Sequence, residues 1–470
     1  MAKSLKNRHH GMVSGVQTAI KWACHDMEKG TETLGHLPKV EVGEGHMGLE
    51  AREALAQRTF GRLYDAVPVS GQPSEDAIRK LAASMEEAEG DEKDGPAAAG
   101  SAFFGQFIDH DLTLDATTML GKASGAVTRI ENFRTPRFDL DSVYGSGPEV
   151  TPWLYGQNGR RFGLAVGSGA EVGLEANDLD LQRNKNRRAL IGDPRNDENL
   201  FISQVHGRQF VIRHNALLEA HGDSDEGFEA AREELQAEYV QRVLHEFLPD
   251  VVDPDVLNPL KEGYAQGKLP EDRVRWSCAP DMPVEFSAAA FRFGHSMIRQ
   301  TYALNDRFPE EEIFSEVNRG FKPVAPWHNL EMDRFFGDSA QRARPINTRI
   351  VPDLIRLPAA VVGSMPNLAE RNMLRGQRTF CLPSGERVAE AMGVDVLPAH
   401  PQVQACGLEG NTPLWFYILW EAENTGGRLG AVGGTLVAGT ILNLLLRGGA
   451  ASVEGEAVAA AITDREAVPA

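Results

Sequence analysis

Residues 104–113, FGQFIDHDLT, place a histidine, an amide and two carboxylates inside a short and otherwise apolar segment. At the helical period of 3.6 residues, Gln106 and His110 are four positions apart and share one face. Asp109 and Asp111 then lie about 100° to either side of the imidazole. Because burying such groups costs free energy unless they are paired, the segment predicts a helix that carries chemistry.

The composition is that of an ordinary globular protein. The chain has 470 residues, of which 42% are hydrophobic and 24% charged, enough for a large core. Its net charge of -19 disfavours contact with nucleic acid or an anionic membrane, which are themselves negatively charged. The four cysteines form no CxxC pair, so the sequence predicts neither a disulfide framework nor a zinc site of that kind.

Apolar segments recur mostly with helical period from about residue 102 to residue 449, without a linker between folding units. We therefore expect a mainly α-helical protein with little β-structure. The expected divisions are an N-terminal extension wrapping the core over 1–95, one large domain over 96–450 and a C-terminal tail over 451–470.

The basic first residues are not followed by the apolar core of a secretory signal peptide, so we expect a cytoplasmic protein or one secreted by another route. The apolar run 429–446 contains four glycines and Asn443. This composition favours a buried core helix over a membrane span.

A second histidine stands in residues 284–302, VEFSAAAFRFGHSMIRQTY. The spacing predicts a helix with Ser287 as its N-cap and His295 among apolar neighbours on one face. A lone histidine in that setting is usually a core residue with satisfied ring nitrogens. Arg292 shares the same side, however, and a buried guanidinium requires an anion. The pair thus indicates an anionic cofactor.

Residues 135–145, TPRFDLDSVYG, place oxygen-bearing side chains at alternating positions, Thr135, Asp139 and Asp141. Alternation puts them on one side of an extended loop. With the main-chain carbonyl of Arg137 and a carboxylate from elsewhere, they would meet the demand of Ca²⁺ for six to eight oxygen ligands. A surface turn capped by aspartates is the alternative that spacing leaves open.

Taken in chain order, six groups of motifs resemble the animal-type haem peroxidases of the peroxidase and cyclooxygenase superfamily, in the version found in bacteria. Ordered matches over this much of the chain are far more specific than any single motif. The groups are FGQFIDHDLT, TPRFDLDSVYG, GDPRNDEN (192–199) with RHN (213–215), AFRFGHS (290–296), NMLRG (372–376) with LPSGE (382–386), and TPLWFYILWEAE (412–423). The resemblance implies one large helical domain with haem b between a distal and a proximal helix.

On the distal side, the resemblance implies that His110 is the distal histidine, with Gln106 as its companion and Arg195 as the distal arginine. Asp109 and Glu198 match the two carboxylates that form ester bonds to the haem in many members. His110 would move the peroxide proton as general acid and base, while Arg195 and Gln106 stabilise the leaving oxygen.

On the proximal side, the resemblance implies that His295 is the iron ligand and that Asn372 accepts the other ring N–H of His295. Arg292 and Arg375 would lie near the haem propionates. Such a hydrogen bond fixes the tautomer of the ligand and raises its basicity. Asp111 would supply the remote carboxylate of the calcium site.

Three positions depart from relatives within the superfamily. Asn199 stands where the myeloperoxidase type has a methionine that forms a third haem link, which implies a lower oxidising power and makes chloride oxidation doubtful. Asp141 stands where vertebrate enzymes usually have serine, and the extra charge implies tighter calcium binding. Arg292 stands where the cyclooxygenase branch has its radical-forming tyrosine.

The function implied is a peroxidase that uses hydrogen peroxide, by way of an oxyferryl intermediate, to oxidise small donors such as bromide, iodide, thiocyanate or phenols. A fatty-acid dioxygenase of the same superfamily is the nearest alternative. A haem-binding or adhesion protein without turnover is a second alternative. A haem-free calcium scaffold would leave His295 and Arg292 unexplained.

Overall fold

The computed structural model describes residues 59–448 except 89, 91, 125, 157, 165–176 and 359–364. The predictions for the start of the chain and for the 451–470 tail lie outside the described residues. The mainly helical class is confirmed. The α-helices are α1 Glu75–Ala83, α2 Ala99–Leu112, α3 Asp141–Tyr144, α4 Leu200–Gln204, α5 Ile212–His221, α6 Asp225–Arg242, α7 Leu248–Val251, α8 Pro254–Ala265, α9 Val284–Ala288, α10 Pro352–Ile355, α11 Leu368–Met373, α12 Gly385–Met392, α13 Pro401–Ala405, α14 Leu414–Glu423 and α15 Ala431–Gly448.

Helical turns of other pitch and short strands complete the described part of the fold. The π-helices are Val205–Val211, Val243–Phe247 and Leu374–Thr379. The 3₁₀-helices are Val69–Gly71, Val127–Arg129, Pro152–Leu154, Pro194–Asp197, Trp276–Cys278, Ala290–Met297, Pro326–His328 and Met332–Arg334. The strands are β1 Phe60–Gly61, parallel to β2 Met282–Pro283, and β3 Thr301–Tyr302, antiparallel to β4 Glu311–Glu312.

Helix α2 is the predicted helix of the opening motif, and it lies in the core. Phe103 stacks on Phe201 with ring centroids 4.3 Å apart, and Phe107 stacks on Phe210 at 4.1 Å. Aromatic pairs of this kind contribute about 0.5–1.5 kcal/mol each beyond the area that they bury. The packing fixes the rotation of α2 about its axis and therefore the direction of its polar face.

The prediction of one helix over residues 284–302 is wrong. Helix α9 begins directly after Pro283, so Ser287 lies inside it and is not the N-cap. The backbone leaves the helical region at Ala289, with φ −135° and ψ −70°, and a 3₁₀-helix, Ala290–Met297, follows.

Side chains from this segment and its neighbours donate hydrogen bonds to carbonyl oxygens that would accept from the main chain in a continuous α-helix. Arg292 Nε donates to the carbonyl of Ser287 at 3.0 Å, and Trp415 Nε1 donates to the carbonyl of Arg292 at 3.1 Å. Arg344 Nη1 donates to the carbonyl of Ser296 at 2.8 Å. These tertiary hydrogen bonds outweigh a local pattern that favours an α-helix.

The apolar run near the C-terminus forms α15, which packs against α8 and α14. By length and composition it could cross a membrane, but 78% of its apolar window is buried inside the protein. Asn443 is itself buried. These contacts are those expected of the core helix that the sequence favoured.

The described part of the predicted N-terminal extension packs on the core. Ile78 and Leu81 of α1 are fully buried, and α1 contacts α11. Strand β1 joins this part of the chain to β2, directly before α9. The boundaries at 95/96 and 450/451 stay predictions.

Candidate active site

His110 lies on α2 and is only 5% exposed. Its Nδ1 is 2.8 Å from Oδ1 of Asn196. Burial, and next the positive charge of Arg195, lower the pKa of His110 to about 4. The imidazole is therefore neutral at neutral pH and able to accept a proton.

Gln106 lies one helical turn before His110 on α2, and Glu198 lies beside Gln106. The Gln106 side chain donates a hydrogen bond to Glu198, and Asn199 donates to Gln106 Oε1 at 3.5 Å. The surrounding protein desolvates Glu198 and raises its pKa to about 7, although the side chain is accessible to solvent. The Glu198 carboxyl is therefore surrounded by protein atoms but still open to contact with a bound cofactor.

The guanidinium group of Arg195 is held in place by hydrogen bonds to neighbouring residues of the protein. Its Nη2 donates to Asp193 at 2.8 Å, to the carbonyl of Thr113 at 2.7 Å and to the carbonyl of His110 at 3.1 Å. Arg134 pairs with Asp193 as well, at 2.9 Å. The two guanidinium groups hold the pKa of Asp193 far below its usual range. Asp193 therefore anchors Arg195 against the C-terminal end of α2.

His295 lies on the 3₁₀-helix Ala290–Met297, where residues three apart eclipse each other, so Arg292 shares its face. Burial and the Arg292 charge lower the pKa of His295 to about 3. Asn372 lies against Nδ1 of His295 at 2.8 Å, as the resemblance implied, but by its nitrogen rather than its oxygen. Arg292 Nη1 donates to the Asn372 oxygen at 3.5 Å, which explains this orientation.

Three arginines, Arg292, Arg371 and Arg375, form an arginine cluster around this side of the site. Burial and the charge of Arg375 lower the pKa of Arg292 to about 9. Arg375 pairs with Asp115 at 3.0 Å, whereas no carboxylate of the described residues lies within ion-pair distance of Arg292. A buried cation without an anion is unfavourable, so the cluster fits the propionates of a haem.

The two histidines belong to one site. Helix α2 packs against the 3₁₀-helix that carries His295. The carboxylate of Asp109 acts on both imidazoles and raises the pKa of each, against the larger effect of burial. Asp109 itself accepts a hydrogen bond from Thr113 Oγ1 at 2.9 Å. The segments that carry the two histidines therefore lie side by side, with the Asp109 carboxylate close enough to act on both rings.

Asp111, Asp139 and Asp141 form a carboxylate cluster, in which one oxygen from each residue lies within 4.8 Å of the others. Burial raises the pKa of Asp139 to about 7 and raises the pKa values of the other two. Thr135 Oγ1 donates to Asp139 at 2.9 Å. The guanidinium of Arg137 pairs with Asp281, and its carbonyl stays a predicted ligand.

The charges around this cluster suit a divalent cation. When all are ionised, the three carboxylates and Asp193 carry four negative charges, and the adjacent Arg134 and Arg195 offset two of them. One oxygen of the fully buried Asp111 meets no hydrogen bond of ordinary geometry among the described residues, with the Tyr239 hydroxyl as its polar neighbour. Oxygen ligands with an excess of negative charge are what Ca²⁺ prefers.

Sequence reasoning missed the residues that hold the predicted ones in place. Asn196, His206, Asp193 and Asp115 were given no role, although the first three stand within or just after the GDPRNDEN motif. A polar residue next to a predicted catalytic arginine is a usable signal for Asn196. Nothing in the local pattern indicates that His206, ten residues later, contacts it.

Comparison with known proteins identifies the family. The family model described as "Animal haem peroxidase" matches residues 121–377, a stretch that begins after His110 and includes Arg195, Glu198 and His295. Chorion peroxidase from Aedes aegypti is 28% identical over 196 residues, which cover 37% of this chain and 23% of that protein. The chain thus spans about a quarter of the length of that relative.

Solved structures share the fold at low identity. Peroxidase A from Dictyostelium discoideum aligns with a TM-score of 0.57 and 14% identity, over 85% of this chain and 90% of that one. Fatty acid α-dioxygenases align similarly, from Arabidopsis thaliana (TM-score 0.54, 14% identity, 83% and 72% coverage) and Oryza sativa (0.52, 16%, 83% and 75%). The predicted bacterial origin stays a prediction. The family match, which covers more than half of the chain, shows that this protein belongs to the animal haem peroxidases.

Proposed function

We propose that this chain is a haem peroxidase that uses hydrogen peroxide to oxidise small donors such as bromide, iodide, thiocyanate or phenols. The proposal is supported by two desolvated, neutral imidazoles, His110 and His295, on segments that pack together and under the influence of one carboxylate, Asp109. Arg292, three residues before His295, favours a peroxidase over a fatty-acid dioxygenase, because it occupies the position of the tyrosine in the cyclooxygenase branch.

Haem b, when bound with His295 as the iron ligand, supplies an iron that binds peroxide and takes up its oxidising equivalents. Nε2 of His110 accepts a proton from one peroxide oxygen and returns it to the other. The Gln106 amide and the positive charge of Arg195 stabilise the negative charge that develops on the departing oxygen. Arg292 and Arg375 bind the propionates, and Asn372 orients His295 by turning its amide oxygen toward Nδ1.

Two attachments complete the proposal. Asp109 and Glu198 form ester links to the haem, supported by the influence of Asp109 on both imidazoles and by the contact of Glu198 with Gln106. The carboxylate cluster, with Thr135 and the carbonyl of Arg137, binds Ca²⁺. Because Asp111 lies next to His110 along α2, the ion would tie the Thr135 loop to the helix that bears the distal histidine.

The test is to load the purified protein with haem b and supply either peroxide with iodide or a phenol, or a long-chain fatty acid with dioxygen alone. We expect peroxide-dependent oxidation of the donors and no oxygen uptake with the fatty acid. Oxygen consumption that requires the fatty acid and no peroxide would establish the dioxygenase instead. Complete release of the haem into acidified organic solvent after peroxide treatment would contradict the ester links.

A further inference from the structure

Asn196 lies behind His110 and joins it to a second buried histidine. Its Oδ1 is 2.8 Å from Nδ1 of His110, and its Nδ2 is 3.0 Å from Nδ1 of His206. Asn196 and His206 have no exposed surface, and His110 has almost none. The 3₁₀-helix Pro194–Asp197 positions the amide, and the π-helix Val205–Val211 positions His206. Widened helical turns of this kind often occur at functional sites.

One amide in this position sets the tautomers of both rings. An amide oxygen only accepts hydrogen bonds, so Nδ1 of His110 must carry the hydrogen and Nε2 is left free to take a proton. An amide nitrogen only donates, so Nδ1 of His206 must be bare and its Nε2 must carry the hydrogen. An amide does not pass protons on. The chain of three side chains therefore orients His110 and does not conduct protons away from it.

The His206 end of this hydrogen-bonded series of side chains borders a small cavity. His206 Nε2 and Gln182 Oε1 are buried and have no hydrogen-bond partner among the described residues. Both residues line a cavity with about 10 Å³ available to the centre of a water molecule, and its other lining residues are apolar or glycine. One water requires about 10–15 Å³ by this measure and at least two polar partners. The cavity provides one donor, His206 Nε2–H, and one acceptor, Gln182 Oε1.

We propose that Asn196 and His206 are positioning residues that fix the tautomer of His110, and that one buried water completes the chain between His206 and Gln182. The inference rests on the proposed function, because the His110 tautomer matters only if that ring moves the peroxide proton. The inference gives a role to two residues, Asn196 and His206, that would not touch peroxide or haem. A buried, fully hydrogen-bonded chain would keep Nε2 of His110 bare before each turnover.

Asn196→Ala tests the tautomer, with Asn215→Ala as the matched control. Asn215 is also buried, and its amide bonds both backbone groups of Phe162, which lines the cavity, but neither the His110 ring nor the His206 ring. In the apoprotein, ¹⁵N-histidine NMR is expected to show His110 hydrogen on Nδ1 and His206 hydrogen on Nε2. Asn196→Ala should convert His110 to a mixture of tautomers, and Asn215→Ala should leave it unchanged. The hydrogen of His110 on Nε2 in the unmodified protein would overturn the proposal.

Cyanide binding to the haem-loaded protein gives a second readout, because hydrogen cyanide must pass its proton to a bare Nε2. We expect Asn196→Ala to slow cyanide association by about 10–100-fold, the range typical for loss of a residue that orients a functional group, and Asn215→Ala to have no effect. Equal rates in both variants would overturn the proposal. A protein that takes up no haem would defeat the proposed function, while the apoprotein spectrum would still decide the tautomer.

A crystal structure at high resolution tests the water. We expect one density peak within hydrogen-bonding distance of both His206 Nε2 and Gln182 Oε1, and its loss in Gln182→Met. A dry cavity, or a protein side chain occupying it, would contradict this part of the proposal.

Discussion

The carboxylate cluster beside α2 and the arginine cluster around His295 have opposite charge imbalances. On the distal side, Asp111, Asp139 and Asp141 exceed their guanidinium partners, and burial raises their pKa values. On the proximal side, Arg292 has no carboxylate at ion-pair distance among the described residues, and burial lowers its pKa to about 9. A protein does not bury either imbalance without a ligand of opposite charge.

The difference indicates two distinct ligands rather than one shared polar network. In the proposed function, Ca²⁺ would neutralise the carboxylates and the haem propionates would neutralise the arginines. Arg134 and Arg195 both bind Asp193 and so offset the carboxylate cluster only in part.

The largest expected effect comes from His110→Ala, which removes the proton acceptor between the two clusters. The variant should bind haem but react with hydrogen peroxide about 10²–10⁴-fold more slowly, the usual contribution of a general acid–base residue. Stopped-flow spectroscopy measures the rate. His221→Ala serves as the control, because His221 is at the surface paired with Glu234. An unchanged rate would show that another group moves the proton.

Arg292→Leu and Arg344→Leu test whether the proximal charge is truly unbalanced. Arg344 pairs with Glu87 inside the protein, so its loss should lower the free energy of unfolding of the apoprotein by about 3–5 kcal/mol. Arg292→Leu should leave that stability unchanged or raise it, and should weaken haem binding. Denaturant unfolding and haem titration are the measurements. Strong destabilisation of the apoprotein by Arg292→Leu would mean that an anion already pairs with Arg292.

Removal of calcium should destabilise the carboxylate side. At a concentration of 100 times its Kd, a bound ion contributes about 2.7 kcal/mol to the free energy of unfolding, so a chelator should lower Tm. Mg²⁺ should restore little, since it rarely accepts an all-protein set of ligands. Asp141→Ser, which removes one carboxylate, should weaken calcium binding measured by calorimetry. No effect of chelator on Tm or activity would refute the site.

The smallest effect is the pH dependence due to Glu198. Its pKa is raised from 4.5 to about 7 in the folded apoprotein, so the folded state holds the proton more tightly than the unfolded state does. This contribution to stability is present below about pH 4.5 and is lost as pH rises through 7. Glu198→Gln should flatten the fall in Tm over that window. A steeper fall in the variant would contradict the assignment.

The local features of the site followed from the sequence because their causes are local. The i and i+4 spacing of Gln106 and His110 depends only on the helical repeat, and α2 has it. The carboxylates of Asp139 and Asp141 do lie together as predicted, but not along an extended loop, because Leu140 adopts a left-handed φ of 58° and Asp141 begins α3. The resemblance of the motifs added the pairing of the distal and proximal segments, which no periodicity indicates.

Contacts between segments distant in the chain determined the features that the sequence did not predict. Hydrogen bonds from Trp415 and Arg344 to carbonyls on the His295 segment replaced the expected α-helix by a 3₁₀-helix. The placement of His206 against Asn196 depends on a π-helix whose extra residue per turn no spacing rule predicts. The sequence by itself determines the local conformation that each short segment favours, because the hydrogen bonds of that conformation lie within a few residues. Which carbonyls and side chains meet depends on packing between segments distant in the chain.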